Sequence, residues 1–316
     1  MQIALWSITF LVAIAVLLIG ADIFTKNSEK LGKIFGIPQF IIGITIVSIG
    51  TSLPELLTSI IAIAKGEPEF VAANVIGSNV ANILLFIGIT TLILKKIDFK
   101  EKNIGHDLLI LGGITATFIL MILDAKLVMY EAVILLIGYA GYAAYKVISS
   151  LTWKEKVTEI IEEPEKFTWK IPTLIALGAV GVYFGAEYTV ESIIKIAEIT
   201  KINSTFLVFT AVALGTSLPE LTVSIMTAIR GNFGISLGNI FGSNFFNTTL
   251  IFGIAGLVSD LPMSASMMKV GIPFLIVATY LFTTSAAHKK SFSLDEGILC
   301  LAIYGIFITQ LFIYSH

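Results

Sequence analysis

The chain has 316 residues, of which 56% are apolar and only 13% charged, and its mean hydropathy is +0.93. A soluble domain carries roughly 25% charged residues, so this chain has too little charge to cover a water-facing surface. It reads as an integral membrane protein whose first partner is the lipid bilayer. A net charge of −2 excludes the basic stripe that nucleic-acid binding needs, and a lone cysteine, Cys300, excludes a disulfide framework or a cysteine-built zinc site.

Roughly 20 apolar residues cross a bilayer as a helix, and backbone inside lipid must satisfy its own hydrogen bonds. Charge-poor runs predict ten spans, over about 2–22, 38–64, 70–94, 107–123, 127–147, 169–187, 202–228, 233–258, 268–286 and 296–314. The first has no basic residue ahead of it and is too long for the core of a cleaved signal, so it reads as a retained span. The runs lack the alternation of barrel strands. In the fifth, Gly138 and Gly141 suit close helix packing, and Glu131 reads as a packing or boundary residue. Asp22 and Glu187 fall at span ends and are expected to be solvated there. His106, His288 and His316 lie at or beyond span ends, which argues against a histidine metal site. Residues 150–166 form the one long polar stretch between spans and read as a solvated linker. With the N-terminus outside, the inner loops hold 15 of the Lys and Arg residues and the outer loops 5. That bias predicts a multi-pass protein of the plasma membrane with both termini outside.

The chain repeats itself. Gly50-Thr-Ser-Leu-Pro-Glu-Leu56 recurs unchanged as Gly215–Leu221, an offset of 165. Asn74-Val-Ile-Gly-Ser-Asn79-Val-Ala-Asn82 recurs as Asn239-Ile-Phe-Gly-Ser-Asn244-Phe-Phe-Asn247 in the same register. Each unit holds five spans. An odd number sends the second copy into the membrane from the opposite side. The predicted fold is therefore all-α, with ten transmembrane helices in two inverted five-helix repeats. The first repeat is 1–149 with its motif region at 43–85, the linker is 150–166, and the second repeat is 167–316 with its motif region at 208–250. Secondary transporters commonly follow this plan, with the ion site at the midplane.

Glu55 and Glu220 stand inside otherwise apolar spans, where a carboxylate costs roughly 2.5–3.5 kcal/mol on insertion scales. At equivalent repeat positions they would face each other, and two such acids need a cation between them or a shared proton. Ser48, Thr51, Ser52 and Glu55 share one helix face, as do Ala213, Thr216, Ser217 and Glu220. Ser78 with Asn82, and Ser243 with Asn247, add neutral oxygen at four-residue spacing. Pro54 and Pro219 lack the N–H that would bond Gly50 and Gly215, so carbonyls there are expected to turn towards an ion. Two bidentate carboxylates and two carbonyls give about six oxygens, which suits calcium. Sodium is the other cation such oxygens can hold, whereas transition metals would want His or Cys. The bland reading of the individual Ser, Thr and Asn residues is polar glue between helices; the two glutamates resist it.

These motifs resemble those of the calcium/cation antiporter superfamily, most closely its sodium/calcium exchanger family of prokaryotic type. The resemblance spans nearly the whole chain and rests on G-T-S-L-P-E and G-S-N-x-x-N, each present twice. It implies antiport of calcium against sodium by alternating access, with no cofactor and a monomeric functional unit. Its ion-binding positions carry over onto Thr51, Ser52, Glu55, Ser78 and Asn82, and onto Thr216, Ser217, Glu220, Ser243 and Asn247. Ser48 and Ala213 would line the cavity through backbone carbonyls. The spans 2–22 and 169–187 would bring no ligands and would slide together to switch access. Some relatives, including the potassium-dependent branch, have Asp where this chain has Asn247. The substitution argues against a potassium requirement. Exchange of calcium for protons by a relative of the same superfamily stays open as an alternative. A cation channel fits the opposed repeats less well, and no catalytic set of Lys, His or Asp lies mid-span to support an enzyme.

Overall fold

The computed structural model describes residues 2–35, 37, 39–64, 66–98, 104–157, 167–200, 204–289 and 291–314; within these, the side chains of 147–157, 204–214 and Thr216, with a few others, lie outside the description. Its helices are α1 (Gln2–Phe35), α2 (Gln39–Ala64), α3 (Glu69–Leu94), α4 (Ile104–Met121), α5 (Met129–Val157), α6 (Lys170–Thr200), α7 (Ser204–Ile229), α8 (Phe233–Val258), α9 (Met267–Ala287) and α10 (Leu294–Tyr314). Four short strands accompany them: β1 (Lys96–Asp98), β2 (Lys126–Leu127), β3 (Leu261–Pro262) and β4 (Ser291–Ser293). Among the described residues, eight helices are long and apolar enough to cross a bilayer, all but α5 and α7. α7 qualifies only as the shorter apolar stretch Ser217–Ile229. This is a multi-pass, all-helical membrane protein.

Helix ends follow local chemistry. α1 outruns its expected span because the charged stretch beyond residue 22 continues the helix. Lys26 pairs with Asp22 at 2.8 Å and Lys33 with Glu29 at 2.9 Å, both at the i,i+4 spacing that supports exposed helix. α2 and α7 end in the same turn. Gly66 and Gly231 sit at φ of +80° and +78°, a conformation that glycine adopts without strain. In each turn the glycine N–H and the next N–H return to the helix, Gly66 to Ile63 and Glu67 to Ala62, Gly231 to Ala228 and Asn232 to Thr227, all at 2.9 Å. That is the bond pattern of a helix closed by a left-handed glycine. Glu131 caps its own helix by accepting from the Val128 N–H at 3.0 Å, in keeping with a boundary role.

α3 and α8 are the central helices, 83% buried over their spans, against 17% for α1. Lipid is as apolar as leucine, so close contact rather than escape from water holds such helices together. The most extensive contact joins α1 to α6. A Cβ at Gly20 would come within 2.8 Å of Val182 N, one at Gly178 within 2.7 Å of Phe24 N, and one at Gly185 within 2.5 Å of Leu17 N. Partners fall in α1 as they rise in α6, so the two cross antiparallel. Gly138 and Gly141 do not play the packing role their spacing suggested. Among the described residues, a Cβ at Gly138 would reach Ile114 at 3.5 Å, and one at Gly141 would reach nothing within 4 Å.

The two short ribbons tie one half of the chain to the other. β1 pairs antiparallel with β4, and β2 with β3. A shift of 165 carries β1 onto the β3 region and β2 onto the β4 region, so exchanging the halves exchanges the ribbons.

Some expectations at span ends need correction. Asp22 is not merely solvated. Its carboxylate pairs with Arg230, from the turn after α7, as well as with Lys26. Asp107 and Lys146, at span ends, are buried together at 2.5 Å, and Tyr142 donates to Asp107 at 3.0 Å. Asp107 and Lys146 are thus paired with each other, the condition on which membrane burial of a charge is tolerated. Glu187 is exposed, as expected. Of the linker 150–166, the backbone of α5 continues to Val157 and residues 158–166 lie outside the description.

Candidate ion-binding site

α2, α3, α7 and α8 carry the repeated motifs, and each of the four touches the other three. Neither proline breaks its helix. α2 runs unbroken through Pro54 and α7 through Pro219, so the carbonyls at Gly50 and Gly215 lie within continuous helix. The irregular backbone lies instead in two π turns, Gly43–Val47 in α2 and Asn247–Ile251 in α8. Such turns leave carbonyls out of the usual ladder and cluster at functional sites. The second of them begins at Asn247 itself.

Glu55 and Glu220 are both fully buried and lie close enough to feel each other's charge. Ser52 bridges the repeats by donating to Glu220 Oε1 at 2.8 Å. Both oxygens of Glu55, Oε2 of Glu220, Ser217 Oγ, Ser243 Oγ, both polar atoms of Asn82 and Oδ1 of Asn247 are buried without a hydrogen-bond partner. An unsatisfied buried polar group costs about 1–3 kcal/mol, more when charged. The oxygens of this orphan set, carboxylate and neutral alike, are groups that a cation would satisfy, whereas the Asn82 amide nitrogen is a donor and is not. No group of three or more His, Cys, Asp or Glu capable of holding a metal occurs among the described residues. The set therefore suits hard cations that accept neutral oxygen, not a transition metal.

The remaining expected positions divide. Ser78 is buried in α3, four residues before Asn82. Thr51 donates to Asn239 Oδ1 at 3.2 Å and to the Ser48 carbonyl at 3.3 Å, which turns it towards its neighbours. The Ser48 hydroxyl is occupied by the Ile44 carbonyl and pressed against Gly242, leaving only its backbone for an ion. The side chains of Thr216 and Ala213 lie outside the description.

Three asparagines do work that motif spacing alone did not assign. Asn74 donates to the Glu55 carbonyl at 3.4 Å and to Ser59 Oγ at 3.3 Å. Asn239, its repeat equivalent, donates to the Glu220 carbonyl at 3.2 Å and to Ser224 Oγ at 2.8 Å. Each thus fixes the backbone beside one glutamate from the adjoining helix of its own repeat. Asn79 ties the halves together, donating to Thr248 Oγ1 at 2.9 Å and accepting from Asn247 Nδ2 at 3.1 Å. The signal was in the sequence, since Asn74 and Asn79 recur as Asn239 and Asn244. Their partners are cross-helix and need coordinates.

Comparison with known proteins identifies the family. The family described as sodium/calcium exchanger protein matches residues 5–148 and 170–313, the two repeats without the linker. The chain is 33% identical over 311 residues to an uncharacterised membrane protein of Methanocaldococcus jannaschii, covering 96% of each. It is 29% identical over 343 residues to the sodium/calcium exchanger MaX1 of Methanosarcina acetivorans, covering 96% of this chain and 97% of that one. A structure of the sodium-calcium exchanger NCX_Mj, soaked without sodium or calcium, superposes with a TM-score of 0.84 at 31% identity and covers 98% of this chain and 99% of its own. The chain belongs to the sodium/calcium exchanger family.

Proposed function

We propose that this protein is a secondary antiporter that exchanges calcium for sodium by alternating access. The observation that carries the reading is the pair of fully buried, mostly unpartnered carboxylates, Glu55 and Glu220, set among orphaned hydroxyl and amide oxygens. Calcium binds between the two carboxylates. Sodium competes for the same oxygens together with Ser52, Ser78, Ser217, Ser243, Asn82, Asn247, the hydroxyls of Thr51 and Thr216, and backbone carbonyls that include those of Ser48 and Ala213. Shared ligands keep the two ions from crossing together, which couples their fluxes. The name of the M. acetivorans relative points to the same pair of ions.

In this reading all ten helices span the membrane as two inverted repeats, 1–149 and 167–316. The 165-residue offset, the antiparallel crossing of α1 and α6, and the exchanged ribbons support that relation. The charge bias of the loops places both termini outside the plasma membrane. α1 and α6 contribute no ligands and move together on their shared glycine contact. The functional unit is the single chain.

The test is calcium uptake by purified protein in liposomes, driven by an outward sodium gradient at clamped pH. Uptake that follows the sodium gradient supports the reading. Uptake that needs a proton gradient and ignores sodium replaces it with calcium/proton exchange, and uncoupled flux replaces it with a channel.

A further inference from the structure

Asn79 of α3 reaches across the repeat boundary to two consecutive residues of α8. Its Nδ2 donates to Thr248 Oγ1 at 2.9 Å and to the Asn244 carbonyl at 3.4 Å, and its Oδ1 accepts from Asn247 Nδ2 at 3.1 Å. The side chains of Asn79, Asn247 and Thr248 are all buried. Asn247 and Thr248 open the π turn Asn247–Ile251.

These bonds fix which way each amide faces. A carbonyl can only accept, so the Asn79 atom beside the Asn244 carbonyl is the nitrogen. Asn79 therefore turns its oxygen to Asn247. That oxygen carries no hydrogen and can only accept, so Asn247 meets it with nitrogen. The two ends of a planar amide diverge. The Asn247 oxygen is left facing away from Asn79, buried and without a hydrogen-bond partner. It stands four residues after Ser243, whose hydroxyl oxygen also has no partner, so the two share a face of α8.

The residues equivalent to Asn79 and Thr248 are differently employed. Ile83 stands at the position that matches Thr248, and its side chain offers no acceptor. Asn244 stands at the position that matches Asn79 and spends its nitrogen on its own helix, donating to the Ile240 carbonyl at 2.7 Å. The amide that Asn79 holds is the one at Asn247.

We propose that Asn79 is a positioning residue of the ion site: it holds the Asn247 amide so that an oxygen, and not an NH2 group, faces the bound cation. This rests on the exchange reading above, in which Asn247 is a ligand. Without Asn79 the Asn247 amide is able to turn over. In an ion-free site lined by carboxylates the turned-over form is favoured, because its NH2 finds acceptors there. A cation needs the other form, and its apparent affinity falls by the fraction of molecules that hold it. Asn79 thus raises affinity without itself touching the ion.

The experiment titrates calcium, and separately sodium, into the full chain purified in detergent and reads each dissociation constant by calorimetry. Asn79→Leu keeps the side chain's size and removes both hydrogen-bonding ends. It is expected to weaken binding of both ions by roughly twofold to tenfold. Combined with Asn247→Asp, the same substitution is expected to change neither constant by more than about twofold, because a carboxylate has two equivalent oxygens and no orientation to hold. Equal weakening on the two backgrounds would mean that Asn79 acts through packing, and that result overturns the proposal. So does unchanged binding in Asn79→Leu. Should Asn79→Leu fail to accumulate, Thr248→Val decides. It removes the hydroxyl that anchors Asn79 and is expected to weaken binding on the wild-type background and not beside Asn247→Asp; equal effects on both count against the proposal. An Asn247→Ala variant that binds both ions as the wild type does would remove Asn247 from the site and overturn the proposal, while leaving Glu55 and Glu220 as the calcium site. Wild-type protein that binds neither ion is a different result, and would overturn the exchange reading and the proposal with it.

Discussion

Glu55 and Glu220 differ in what surrounds them. Glu220 receives the Ser52 hydroxyl, while neither oxygen of Glu55 has a hydrogen-bond partner. Glu55 thus depends more heavily on a bound cation. Glu55→Gln keeps the shape and removes the charge, and truncating one partner of a buried charge interaction costs about 2–5 kcal/mol. Sodium-driven calcium uptake is expected to disappear in Glu55→Gln and in Glu220→Gln, measured in liposomes with radioactive calcium. Retained uptake in either would remove that residue from the site. Asn239→Ala deletes hydrogen bonds to the Glu220 carbonyl, Ser224 and Thr51 and should cost about 1–3 kcal/mol. The expected readout is weaker calcium binding with exchange still detectable, and Asn74→Ala should behave alike because it makes the matching bonds. The glutamates were legible in the sequence because mid-span carboxylates are rare and the repeat placed them as a pair. The asparagines stood in the repeated motif too, but a supporting role can be assigned only once the carbonyl they hold is seen.

Helix bounds follow the sequence where the bilayer sets the length, and backbone detail departs from it where neighbours decide. The charge-poor runs over 38–64 and 233–258 match α2 and α8 closely, since a bilayer sets both length and composition. The π turns at Gly43–Val47 and Asn247–Ile251 left no mark in hydropathy, and they occupy different places in the two repeats. Small residues misled for a related reason. Spacing shows that a glycine permits close approach, not that a helix lies there. Gly178 meets the backbone of α1, and Gly141 meets nothing within 4 Å among the described residues. Gly178→Val should therefore force α1 and α6 apart at a cost of about 1–3 kcal/mol, lowering the melting temperature in detergent and the rate of exchange. Gly141→Ala should leave melting unchanged or raise it slightly, because alanine is the better helix former by about 1 kcal/mol. Equal losses from both substitutions would show that the α1–α6 contact is not special.

At the scale of the whole molecule, the four motif helices enclose a set of buried polar atoms that the protein does not satisfy by itself. Its stability is therefore tied to ion occupancy. A ligand that binds only the folded state stabilises it by about 2.7 kcal/mol at one hundred times its dissociation constant. Calcium should raise the melting temperature of the detergent-purified protein in a saturable way. Sodium should also stabilise it, and at a fixed calcium concentration should displace calcium rather than add to it, since both ions use Glu55 and Glu220. In Glu55→Gln the calcium-dependent rise should vanish. A peripheral structural site would behave otherwise, because the calcium effect would survive Glu55→Gln and would add to that of sodium. Melting curves collected over a grid of the two ion concentrations distinguish these outcomes, and an additive grid would separate the calcium site from the path that sodium uses.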